Sequence, residues 1–99
     1  MSFLKSLFGR GAAAAPQVQA SVEYEGFTIR AVPYQSEGQY QTAGEIEKEI
    51  DGVRRRHKFI RAERHASLEE ATSFSLMKAR QIVDQQGERI FAQPAPNAG

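Results

Sequence analysis

Arg54, Arg55, Arg56 and Lys58 stand in one run around His57, with Arg61 and Arg64 close behind. Clustered guanidinium and ammonium groups are how proteins neutralise phosphates, so the first chemistry suggested is contact with a nucleic-acid backbone. On a strand, successive side chains point to opposite faces, which sends Arg54, Arg56 and Lys58 one way and Arg55, His57 and Arg61 the other. The preceding stretch carries Glu45, Glu47 and Glu49 at alternate positions. Paired with the basic run, those carboxylates cancel much of the field of the first group. The cations left as candidate nucleic-acid contacts are Lys48, Arg55, Arg61 and Arg64.

Other reactive constellations are missing. His57 and His65 have no carboxylates at metal-ligand spacing, and a lone histidine over an apolar face reads as a packed, hydrogen-bonded side chain. There is no glycine-rich phosphate loop, no elbow around a serine nucleophile and no metal motif. With no cysteine in the chain, a disulfide framework, a thiolate metal site and a cysteine nucleophile are excluded. The reading is a protein that is not an enzyme, with no cofactor, no metal and no small-molecule substrate. A second candidate surface is apolar: Phe74 and Met77, three positions apart, fall outside the buried stripe of the last helix. Together with Phe3, Leu4, Leu7 and Phe8 they form a candidate protein interface, for a homodimer or another protein.

The element that positions the basic run is a β-hairpin over Gln39 to Arg64. Asp51-Gly52 lies between two strand-like runs, and a two-residue type I′ turn needs positive φ at both positions, which this pair supplies. Setting Ile50 opposite Val53 pairs Glu49 with Arg54, Glu47 with Arg56 and Glu45 with Lys58 on one face. The other face pairs Ile46 with His57, Gly44 with Phe59 and Tyr40 with Glu63, and is the one to bury. Ala43 and Ile60, paired on the charged face, are apolar exceptions to it. Before the hairpin, a single strand from about Val22 to Val32 is predicted, ended by Pro33, with Gln35 to Gly38 as the connecting loop. After it, Ser67-Leu68-Glu69-Glu70 reads as a capping box opening a helix. Leu68, Ala71, Thr72, Ser75, Leu76, Ala79, Ile82, Val83 and Gln86 form one stripe at helical spacing, and Gly87 stops it. Ile90 and Phe91 then fold back over the end of the core.

These elements give an α+β fold: a three-stranded antiparallel meander with one C-terminal helix packed on one face, in the order β-β-β-α. Residues 1–9 form a short amphipathic segment, 10–21 an alanine- and proline-containing linker, 22–91 the domain, and 92–99 a tail read as disordered. Ninety-nine residues, 40% apolar and 25% charged, suit one small core. A net charge of +1 gives the chain as a whole little attraction for nucleic acid, so any contact must come from a local patch. No apolar run approaches the roughly 20 residues of a membrane span, and four apolar residues near the start provide little area for stable membrane insertion. The apolar part of MSFLKSLFGR is too short for a secretory core, so a cytoplasmic location is expected.

EYEGFTIRAVP, AGEIEKEIDG, HKFIRAE and SLEEATSFSLMKARQIVDQQGERIF, preceded by FLKSLFG, resemble in their order a family of small bacterial proteins known as HlyU. The resemblance covers residues 1–91 and implies a role in regulating transcription, with DNA as the implied partner; it brings no defined site residues. The strand and helix order also resembles double-stranded-RNA-binding domains. Those place a lysine cluster at the start of the last helix, where this chain has the acidic Ser67 to Glu70, so that likeness concerns architecture alone.

Overall fold

The computed structural model describes residues 17–92, and the apolar segment Phe3, Leu4, Leu7 and Phe8 lies outside them. Five strands form one antiparallel sheet: β1 (Ala20–Tyr24), β2 (Phe27–Ala31), β3 (Tyr34–Ser36), β4 (Gln39–Ile50) and β5 (Val53–His65). The helix α1 (Leu68–Gln86) follows, and then a 3-10 segment over Gly87–Ala92.

The predicted three-strand meander is therefore corrected to five strands, and tight turns are the reason. Glu25-Gly26, Glu37-Gly38 and Asp51-Gly52 have φ of 53° and 86°, 52° and 81°, and 54° and 80°. All three are two-residue turns with positive φ throughout, the I′ geometry whose twist matches that of the strands it joins. Asp-Gly announces such a turn in a sequence. Glu-Gly does not, because glutamate is not a residue that ordinarily favours the left-handed region. The single strand expected over Val22 to Val32 is thus folded back at Glu25-Gly26, pairing Tyr24 with Phe27 and Ala20 with Ala31. The first ladder residues, Ala20 and Ser21, fall within the segment read as linker.

Pro33 interrupts a strand rather than ending it. Ala31 pairs with Gly44, and Tyr34, three residues on, pairs with Gln41, three residues back. β2 and β3 thus hold one register along the same edge of β4, and the Val32 amide donates to the Ala43 carbonyl at 2.9 Å between them. The break falls where proline has no N–H to give.

β5 covers the opposite edge of β4. Ile50↔Val53 through Ala43↔Ile60 follow the expected register, but Tyr40 pairs with His65 instead of Glu63. A bulge on β5, Arg61 to Glu63 against Thr42 alone, causes the shift. It leaves carbonyls without a ladder partner, and side chains supply the donors: Gln41 Nε2 to the Arg61 carbonyl, and Thr42 Oγ1 to the Glu63 carbonyl at 2.9 Å.

α1 lies across the sheet with Ala71, Ser75, Ala79, Ile82 and Val83 buried. Its N-cap is Ser67, whose Oγ accepts from the Glu70 amide at 3.1 Å. At the C-cap, Gly87, with φ 55°, donates its amide to the Val83 carbonyl. The core joins Phe27, Ile29, Ile46 and Phe59 of the sheet to Ala79, Ile82 and Val83, closed by Ile90. Phe91 stacks on Phe27 at 6.2 Å, so the chain returns over the core as its sequence suggests. Two polar contacts locate the helix. Buried Ser75 Oγ accepts the Ala43 amide at 3.1 Å, and Tyr24 donates its hydroxyl to Asp84 at 2.7 Å, a bond that, with burial, pushes the phenol above its ordinary range.

Candidate nucleic-acid interface

β4, the central strand, carries the acids and β5, outermost, carries the bases. The registers Glu49↔Arg54, Glu47↔Arg56 and Glu45↔Lys58 are those the hairpin predicts. The side chains, however, converge rather than pair one to one. Glu47 is 2% exposed although it lies on the face away from the helix. Arg30 Nη1 reaches it at 2.8 Å, Arg56 Nη2 at 2.9 Å and Arg54 Nη1 at 3.4 Å. Their guanidinium groups close over the carboxylate. Hydrogen bonding from Arg56 is the main influence holding Glu47 below the ordinary glutamate range, with Arg30 assisting against the opposing effect of burial. Glu45 lies within 3.9 Å of Arg30 and 4.0 Å of Arg56, so the acid expected opposite Lys58 faces arginines instead.

The structure divides the four expected phosphate contacts. Lys48 turns inward, ion-paired with Glu88 at 2.9 Å and set over the Phe27 ring at 4.6 Å. Arg64 donates to Gln41 Oε1 at 2.9 Å and to Glu37 at 3.0 Å. Arg55 is exposed, and Arg61 is exposed with its guanidinium over the Phe59 ring at 5.5 Å. Neither has a carboxylate within 4.0 Å among the described residues, and the same is true of Lys58. Lys58 is the cation that sequence reasoning set aside, because direct cross-strand pairing assigned it to Glu45. No pattern in the residues separates direct from diagonal pairing; only side-chain positions do. Arg55 and Arg61 on one face of this edge strand, with Lys58 on the other, thus form its open basic line, and Arg54 and Arg56 lie beside Lys58 but are engaged by Glu47.

His57 is half-buried, and burial, followed by the charge of Arg61, pushes its imidazole below the ordinary range. A neutral ring adds nothing to the basic line. His65 contacts Thr42 Oγ1 through Nε2 at 3.2 Å and lies 4.8 Å from the Phe74 ring. Both histidines therefore have structural surroundings, and among the described residues no group of three or more His, Cys, Asp or Glu could hold a metal ion.

The apolar surface is divided too. Phe74 is half-buried under His65, with Lys78 Nζ 5.3 Å from its centroid, whereas Met77 is 39% exposed. On the charged face Ala43 is buried and Ile60 is 60% exposed.

The protein-family model described as Transcriptional activator HlyU matches residues 2–91. The chain belongs to the HlyU family. A search of curated proteins and one of solved structures found no match. For this HlyU chain the family description suggests a regulator of transcription. No helix among the described residues is long and apolar enough to cross a membrane.

Proposed function

We propose that this HlyU-family protein is a non-enzymatic cytoplasmic regulator of transcription that contacts the nucleic-acid backbone through β5. The observation behind this reading is the set of exposed cations Arg55, Lys58 and Arg61 on the edge strand β5, free of carboxylates among the described residues. The near-neutral net charge makes the contact local, so modest affinity and a salt dependence set by a few phosphates are expected. Fluorescence anisotropy of labelled duplex DNA at several salt concentrations tests it. Neutralising three phosphates gives a slope of log affinity against log salt near roughly −2.7. Arg55→Glu with Arg61→Glu should abolish the binding while leaving the circular dichroism spectrum unchanged, since neither head group is part of an ion pair. Absence of binding at low salt would overturn the reading.

A second reading, contact with another protein or a second copy through α1, is supported by exposed Met77. Here Met77→Asp should convert a dimer to monomer by light scattering without loss of helix content. An unchanged mass removes the homodimer form of this reading.

A further inference from the structure

β5 is 13 residues long and, among the described residues, pairs with β4 alone. Which of its backbone groups face outward follows from two hydrogen bonds on the neighbouring strand. The Ala43 carbonyl accepts from Val32 and the Ala43 amide donates to Ser75 Oγ. Both polar groups of Ala43 therefore turn away from β5, and Ala43↔Ile60 is a non-hydrogen-bonded pair of the antiparallel ladder. Such pairs alternate with bonded ones. The amides and carbonyls of Ile60, Lys58, Arg56 and Arg54 accordingly point out of the sheet, and the register is unbroken from Val53 to Ile60.

An open edge this long pairs readily with another strand, and the charges along it select which kind. A second copy of β5 would set arginine and lysine against arginine and lysine, which destabilises cross-strand pairing. β4 shows the opposite case within this molecule, with Glu45, Glu47 and Glu49 at alternate positions against Lys58, Arg56 and Arg54. On the outer side, Arg55 and Arg61 on one face and Lys58 on the other have no carboxylate partner among the described residues, and Ile60 offers apolar area to a strand beside it. We infer that the outer edge of β5 takes up an extended acidic segment of a partner protein as a sixth strand, its alternating carboxylates meeting Arg55 and Arg61 on one face or Lys58 on the other. This surface shares its cations with the nucleic-acid reading and adds the outward backbone groups, which duplex binding does not use.

The probe is a capped synthetic peptide with the sequence of Ala43 to Ile50, in which the glutamates alternate; the control has the same composition with its glutamates consecutive. Amide hydrogen exchange of the full chain is followed by nuclear magnetic resonance with each peptide and with duplex DNA. Strand addition slows exchange at Arg54, Arg56, Lys58 and Ile60 by at least about tenfold with the alternating peptide alone. Binding of that peptide without protection of these four amides, equal protection by the control, or no binding overturns the inference. Ile60→Pro removes one outward donor and no charge, a change an edge strand tolerates. It should weaken the peptide at least about tenfold and leave duplex binding as it was, so failure of strand addition is distinguishable from failure of the nucleic-acid reading. If that variant does not fold, the exchange pattern of the unsubstituted chain decides alone.

Discussion

Gly44→Ala is expected to cost about 3 kcal/mol of stability, the upper end of the usual penalty for overpacking a core. A Cβ at this position would lie 2.5 Å from Phe59 Cζ, 2.7 Å from Phe59 Cε2 and 2.8 Å from the Arg30 carbonyl oxygen. All three separations are shorter than non-bonded carbon tolerates, and neither neighbour yields easily. Phe59 is 3% exposed and packed in the core with Phe27, Ile29 and Ile46. The Arg30 carbonyl is main chain in β2, paired to β4 at Glu45. Relief would require moving the aromatic ring into the core and separating two central strands together. In a domain of this size, such a loss lowers the melting temperature by roughly 12–24 °C. Thermal and urea unfolding of the variant measure it. Phe59→Leu placed on Gly44→Ala should recover part of the loss, giving a favourable coupling in a double-mutant cycle. A cost below about 1 kcal/mol would show that ring and backbone can both give way.

The second large effect belongs to Glu47. Glu47→Gln retains the shape of the side chain and removes the charge on which Arg30, Arg54 and Arg56 converge. Hydrogen bonds to an ionised group that is 2% exposed contribute more than neutral ones, and a loss of about 2 kcal/mol at neutral pH is expected. The pH dependence has a definite sign. Glu47 is held below its ordinary range in the folded protein, so its contribution is fully present above the ordinary glutamate value and disappears as pH falls through the lowered one. The difference in stability between the native chain and Glu47→Gln should thus be constant near neutrality and shrink towards zero in acid. Denaturant titrations of both proteins across that range check it. A difference that stays flat into acid would mean that the cost arises from packing and not from charge.

Local chemistry made much of this protein legible from its residues. Asp51-Gly52 sets the last hairpin and most of its register, because aspartate and glycine are among the residues that accept positive φ most readily. Ser67 and Glu70 open the helix, the period of its small and apolar residues shows the buried face, and Gly87 closes it. Ile90 and Phe91 are apolar beyond a helix stop, and they cover the core. Each of these signals is carried within a few consecutive residues, where backbone conformation and side-chain period decide the outcome. The order of segments was also sufficient to suggest the HlyU family, which the family model shows.

What remained hidden depended on contacts distant in sequence. The turn at Glu25-Gly26 forms because ladders on both sides hold glutamate at positive φ, and glutamate alone gives little hint of it; the loop expected over Gln35 to Gly38 is tighter, Gln35 and Ser36 belonging to β3 and Glu37-Gly38 making the turn. The bulge at Arg61 to Glu63 exists where Gln41 and Thr42, about twenty residues earlier, hydrogen-bond its carbonyls. The basic run was visible at once, but not which of its members are available. Arg30 arrives from another strand to join Arg54 and Arg56 on Glu47, Glu88 draws Lys48 inward from beyond the helix, and Glu37 holds Arg64. Sequence by itself determined that this chain makes a charged antiparallel hairpin under one amphipathic helix, because turn chemistry and periodicity are local. Only the tertiary structure decided which cations remain open on β5, because a charge pairs with whatever partner the fold brings within reach.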